Sequence, residues 1–289
     1  MTLASPPPLD PALAPYWARP GDRAALHVWA DVLCERGDPR GEYLALCLLP
    51  DPTEAQRQKR ATVERKLGGK LVGPARAFLR EWTFGADGLV ERARCEAEKL
   101  AAGWAEIGEL SPRLSLTVTS TKSKRAMKAL ATVSLERIHH LDFTGAVMGK
   151  QAAQIDDASF RALVPSIAKV KNLALSCRGY ADTCFSPAAL RLLGEASEGI
   201  EYLFLEHFAY VDDGARPQLA PLAEYVDVIC RAPAFKALRA LVLPLAPPAA
   251  LRRSLPHLVT LDTFDDDDGY QPARTAADLV AMKTAAPAQ

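Results

Sequence analysis

Residues 200–208, Ile-Glu-Tyr-Leu-Phe-Leu-Glu-His-Phe, hold the clearest copy of a pattern that recurs along this 289-residue chain. Ile200, Leu203 and Leu205 set an apolar rhythm, and Phe208 closes the unit. The rhythm returns at Leu135, Ile138, Leu141 and Phe143, then at Ile167, Val170, Leu173 and Leu175. It appears again at Phe235, Leu238, Leu241 and Leu243, and finally at Leu255, Leu258 and Leu261. With a looser copy at Leu110, Leu114 and Leu116, six strands are predicted between Leu110 and Phe264.

Between the strands the period lengthens to that of a helix. Phe160, Leu163, Val164 and Ile167 form one apolar face behind an Asp157 or Ser159 cap, and Leu219, Leu222, Val226 and Ile229 form another after Pro217. Ser186-Pro187 opens a shorter helix bearing Leu190 and Leu193. Strand followed by helix, repeated, requires parallel strands joined by crossovers. A doubly wound enzyme would share that order, but its strands would read as continuous apolar runs. Here His140 and Asp142 flank Leu141, and Asn172 and Ser176 flank Leu173 and Leu175, so the residues alternate. The expected fold is therefore α/β: a leucine-rich-repeat-like solenoid with a parallel sheet on its concave face and that face open to solvent. Equivalent leucines lie 20 to 38 residues apart, longer and less even than the roughly 20–29 of regular repeats.

The residues between the leucines are expected on the concave face. They begin polar, with His140 and Asp142, turn aromatic at Tyr202 and Phe204 beside Glu206, stay apolar at Val242, and end at Phe264 beside Asp265 to Asp268. Six strands span roughly 24 Å, enough for a peptide or one face of a small domain. An aromatic and aliphatic cluster with a charged rim has the make-up of a protein-binding hot spot. The competing expectation is that the chain covers Tyr202 and Phe204 itself, through residues 206–216 or its C-terminal end.

Ahead of the repeats the pattern is helical. Leu26, Trp29, Ala30 and Leu33 make one stripe, and Gly37 ends that helix. Asp38 caps the next, with Pro39 at its first position, and Tyr43, Leu44 and Leu46 supply the apolar side. Thr53 and Gln56 have capping-box spacing for a third, polar helix expected to stop at Gly68-Gly69. Residues 82–95 contain a Gly-Ala-Asp-Gly turn, and an edge hairpin is expected there as a cap on the repeats.

The run Trp29 to Leu46, WADVLCERGDPRGEYLAL, resembles the signature of the bacterial repeat-companion domain, a short helical module that commonly precedes leucine-rich repeats. Ala30, Asp31, Leu33, Glu35, Arg36, Gly37, Asp38, Pro39, Arg40, Gly41, Glu42 and Leu44 match it, whereas Val32 and Cys34 depart from it. The resemblance implies architecture and brings no catalytic residue. Gly37-Asp38-Pro39 is turn chemistry, and Arg36 and Arg40 are expected to lock the two helices. The sharper alternative makes Arg36, Arg40 and Glu42 a docking patch.

Three parts are expected: a disordered, proline-rich leader over 1–21, the helical module over 22–80 and the degenerate repeats over 81–289. Thirty-five basic and thirty-five acidic side chains cancel, so no global field draws the chain to nucleic acid or anionic membrane. The six cysteines lack metal-ligand spacing and read as free thiols in a reducing, cytoplasmic compartment. Neither a cofactor nor a metal is implied. The function expected is non-enzymatic binding of a protein or peptide on the concave face. Two alternatives stay open: a dedicated inhibitor or immunity protein against a toxin or enzyme, and a hydrolase or transferase using His140 and Asp142.

Overall fold

The structure is a computed structural model and describes residues 3–143, 155–179, 181–209, 220–243, 249–255, 258 and 260–263. Phe264 and the acidic run after it lie outside the described residues.

The chain is mixed α/β, built on one open sheet whose eight strands lie in sequence order. These are β1 (Leu79–Phe84), β2 (Val90–Glu96), β3 (Ser115–Thr119), β4 (His140–Asp142), β5 (Asn172–Gly179), β6 (Tyr202–Ala209), β7 (Ala240–Leu243) and β8 (Thr260–Thr263). β1 pairs antiparallel with β2 as a hairpin at the sheet's edge, in the place the 82–95 turn predicts. From β2 to β8 every pairing is parallel. The six strands expected from the leucine rhythm are all present.

Each parallel step needs a crossover, and helices supply most of them: α5 (Ala97–Gly108), α6 (Lys124–Leu130), α7 (Asp157–Ile167), α8 (Pro187–Ala196), α9 (Leu222–Arg231) and α10 (Ala249–Ser254). Each packs on the next. Leu116, Leu141, Leu173, Leu203 and Leu241 are registered neighbours across five strands, all fully buried. They share a core with Met127, Phe160, Leu190 and Ile229 of the helices. Each such side chain contributes about 1.5–3 kcal/mol when removed from water, so this ladder is the main term holding helices to sheet. Phe160 stacks on Phe185 at 4.2 Å, and the Tyr225 hydroxyl donates to the Phe185 carbonyl at 2.7 Å. The helix cap expected at Asp157 or Ser159 is instead Asp156, which accepts from the Ser159 amide at 2.8 Å. Asp157 is thereby released to accept from the amide and hydroxyl of Ser186, which caps α8, so successive helix starts are tied together.

The N-terminal helices are α1 (Ala14–Ala18), α2 (Arg23–Glu35), α3 (Pro39–Cys47) and α4 (Glu54–Leu71). Leu26, Trp29, Ala30 and Leu33 are buried as their spacing predicts. Gly37 turns the corner at φ +69°, a conformation that favours glycine, and Asp38 caps α3 by accepting from the Arg40 amide at 2.9 Å. The Thr53/Gln56 capping box forms. However, α4 does not stop at Gly68-Gly69; it runs on to Leu71. Leu71 is buried with Tyr43 and Cys47, with Leu67 packed alongside, and this anchoring offsets the cost of about 1 kcal/mol per helical glycine.

Residues 3–21 are not the disordered leader expected. Leu13 and Tyr16 are buried on Leu26, Trp29, Leu44 and Leu89, and the Tyr16 hydroxyl donates to Asp87 of the hairpin turn at 2.8 Å. Further along, Pro20 accepts from Arg113, Pro7 accepts from Arg137, and Ala4 bridges to Val133. The prolines forbid a long helix but allow the short α1, with Pro15 in its first turn, whose Tyr16 and preceding Leu13 find apolar partners. Proline density signalled loss of helix, and the sequence reading took it for loss of packing.

Candidate functional site

The pairing register sets the expected concave residues in two rows across the sheet. One runs Ser115, His140, Asn172, Tyr202, Ala240 and Thr260; the other runs Thr117, Asp142, Ala174, Phe204, Val242 and Asp262. Period-two alternation is the cause, since each row residue sits one place from a ladder leucine and so lies on the opposite face. β2 extends both rows, with Arg92 opposite Ser115 and Arg94 opposite Thr117. Sequence reasoning missed these two arginines, although the alternation of Arg92 and Arg94 with Ala93 and Cys95 carried the signal. It missed α5 as well, because the leucine rhythm begins only after it.

Contacts tie the strands together along the rows. The Ser115 hydroxyl lies 3.3 Å from His140 Nδ1, and the Thr117 hydroxyl donates to Asp142 at 3.1 Å. His140 meets the Tyr202 ring edge to face at 5.4 Å between centroids. Asn172 donates its side-chain amide to the His139 carbonyl at 2.8 Å, and the Ser176 hydroxyl donates to Glu206 at 2.5 Å. Beyond this polar half, Ala174, Tyr202, Phe204, Ala240 and Val242 form a separate apolar cluster.

The face is not open to solvent as the alternation suggested. His140 and Asp142 are each 1% exposed, Phe204 is 3% and Val242 is 7%. The physical reason lies in the composition of the rows. Five adjoining apolar side chains are costly to hydrate, so a covered face is the lower-energy arrangement. Covering that cluster also brings buried polar groups with it, and these need hydrogen-bond partners, which the Ser115–His140 and Thr117–Asp142 pairs supply in part.

The second candidate patch divides. Arg36 pairs with Asp10 at 2.5 Å, Glu42 with Lys59 at 2.7 Å, and Arg40 with Asp38 at 2.6 Å while lying 5.8 Å from the Trp29 ring centre. Arg36 thus ties the end of α2 to the leading segment and Glu42 ties α3 to α4, while Arg40 reaches α2 through the Trp29 ring. All six cysteines are free thiols. Burial pushes the Cys95 thiol up to about 12 and Cys184 up to about 11.

Chemically, a serine hydroxyl beside an imidazole is the beginning of an acyl-transfer site. Two registered rows of mixed polarity form the beginning of a recognition surface. Among the described residues no group of three or more His, Cys, Asp or Glu side chains is placed to hold a metal ion, and no helix is long and apolar enough to cross a membrane. The chain matches no family model, curated protein or solved structure.

Proposed function

We propose that this chain is a non-enzymatic recognition module, an α/β solenoid of degenerate leucine-rich repeats behind a repeat-companion module. Its ligand is a protein or peptide that engages the row face of the sheet. The observation that carries the reading is the register of Tyr202, Phe204 and Val242 as one apolar cluster, with basic Arg92 and Arg94 at one edge of the rows and acidic Glu206 beside the cluster on β6. Aromatic anchors flanked by opposite charges give a partner both affinity and orientation. Because the face is buried in the free chain, the partner takes the place of the cover, and recognition couples to uncovering.

A photo-crosslinking residue at Tyr202, compared with one at exposed Val28 on α2, tests this. Crosslinks to a partner in native cell extract from position 202, absent from position 28, support the proposal; crosslinks from position 28 alone refute it. A second reading, acyl transfer by Ser115 and His140, rests on their 3.3 Å contact. Fluorophosphonate labelling that Ser115→Ala abolishes would favour it.

A further inference from the structure

Away from the row face, a cleft of about 370 Å³ opens where the leading segment, α2, the end of α3 and the β1–β2 turn converge. That volume lies within the range of small-molecule sites, which concentrate at junctions between structural units. Tyr16, Leu26 and Leu48 line it, each 1% exposed, and the short backbone stretch Gly85-Ala86 lies along it.

Two guanidiniums line this cleft, Arg23 and Arg113. Neither has a carboxylate within ion-pair distance among the described residues, although twelve other basic side chains do. Both are instead held by main-chain carbonyls: Arg23 donates to Leu48 at 2.7 Å and Arg113 to Pro20 at 3.1 Å. Gly21, at φ +102°, lies close against Arg113, and a Cβ there would come within 2.6 Å of Nη2. The guanidiniums are thus positioned by neutral partners rather than by an ion pair, and each has further N–H donors. The two acids of the cleft are Asp87 and Glu91. Asp87 accepts from the Tyr16 hydroxyl and from the Leu89 amide. Glu91 is exposed and has no ion pair among the described residues.

We propose that this cleft binds a small organic monocarboxylate, its carboxylate on Arg23 and Arg113 and its body along the Gly85-Ala86 stretch. Paired guanidinium donors suit a planar carboxylate. Exposed Glu91 selects against a dianion by repulsion.

The test is an NMR titration of the full chain with sodium benzoate, run beside one with inorganic phosphate. Benzoate is expected to give saturable shifts at the Gly21, Gly85 and Ala86 amides and to bind more tightly than phosphate. Arg23→Gln and Arg113→Gln are each expected to weaken benzoate binding about tenfold or more. Arg23→Gln leaves the Arg113–Pro20 contact intact, so it keeps the test sound even where loss of Arg113 loosens the leading segment. Glu91→Gln is expected to strengthen phosphate relative to benzoate. Shifts that do not saturate, that persist unchanged in Arg23→Gln, or that favour phosphate in the unmodified chain would overturn the proposal.

Discussion

Gly41 offers a perturbation in which two effects of opposite sign compete. It lies inside α3, where alanine is favoured over glycine by about 1 kcal/mol, so helix propensity alone predicts that Gly41→Ala stabilises. Yet a Cβ at Gly41 would fall 2.5 Å from the Cys34 amide nitrogen, 2.7 Å from its sulfur and 2.8 Å from the Ala30 carbonyl oxygen. Two of those atoms are backbone of α2 and cannot rotate away. Restoring ordinary contact means moving α2 and α3 apart by several tenths of an ångström, at the expense of the packing among Leu26, Leu33 and Leu44. Overpacking of this kind costs about 1–3 kcal/mol, and more where backbone must shift. The clash should therefore win, with a net loss of about 2 kcal/mol and a fall in Tm of roughly 3–4 °C for a chain of this size. Gly68→Ala is the matched control, since Gly68 lies inside α4 and a Cβ there meets nothing within 4 Å. Thermal unfolding followed by circular dichroism should show Gly68→Ala at or above the parent Tm and Gly41→Ala well below it. A Gly41→Ala protein as stable as the parent would refute the close-approach argument, and with it this account of the glycine in the Arg-Gly-Glu run.

Tyr16→Phe removes the hydroxyl that ties the leading segment to Asp87; urea unfolding should show a loss of about 1.5–3 kcal/mol, the range for hydrogen bonds to charged groups. Burial works to raise the Asp157 pKa, but hydrogen bonds from Arg161 and Ser186 prevail and hold it below the ordinary carboxylate value. A depressed folded pKa contributes stability above the unfolded pKa of about 3.9 and loses it as pH falls through the folded value. Asp157→Asn should therefore flatten the acid limb of a urea-midpoint profile while leaving its slope above neutrality unchanged. Thiol reagents should modify exposed Cys34 quickly in the native protein, and reach buried Cys95, Cys177 and Cys184 only on unfolding. Rapid native labelling of Cys177 would contradict the packing of β5 against α8.

Much of this fold could be read from the leucines. Leu141, Leu173, Leu203 and Leu241 sit at the ladder positions their spacing predicts, because one buried face with a period of two fixes both strand and register. The caps at Asp38, Thr53 and Ser186 were equally legible, being local chemistry. What the sequence hid was long-range. Arg92 and Arg94 join the rows only because β2 pairs parallel with β3, a choice written in no local motif. The leading segment's docking depends on Tyr16 meeting Asp87, 71 residues away. For the row face the alternation was read correctly, but alternation says which side a residue is on and not whether that side is covered. Tyr202, Phe204 and Val242 were the warning, since the aromatic and aliphatic half of the rows is more costly to hydrate than their polar half at His140 and Asp142.

The role of the row face is tested most directly by affinity capture from the native cell, using the parent chain beside a Tyr202→Ala/Phe204→Ala variant shown by circular dichroism to be folded. The account predicts a partner retained by the parent and lost by the variant. Equal recovery of that partner by both would contradict it, and would move recognition to the Arg36/Arg40 corner or to the helical side of the sheet.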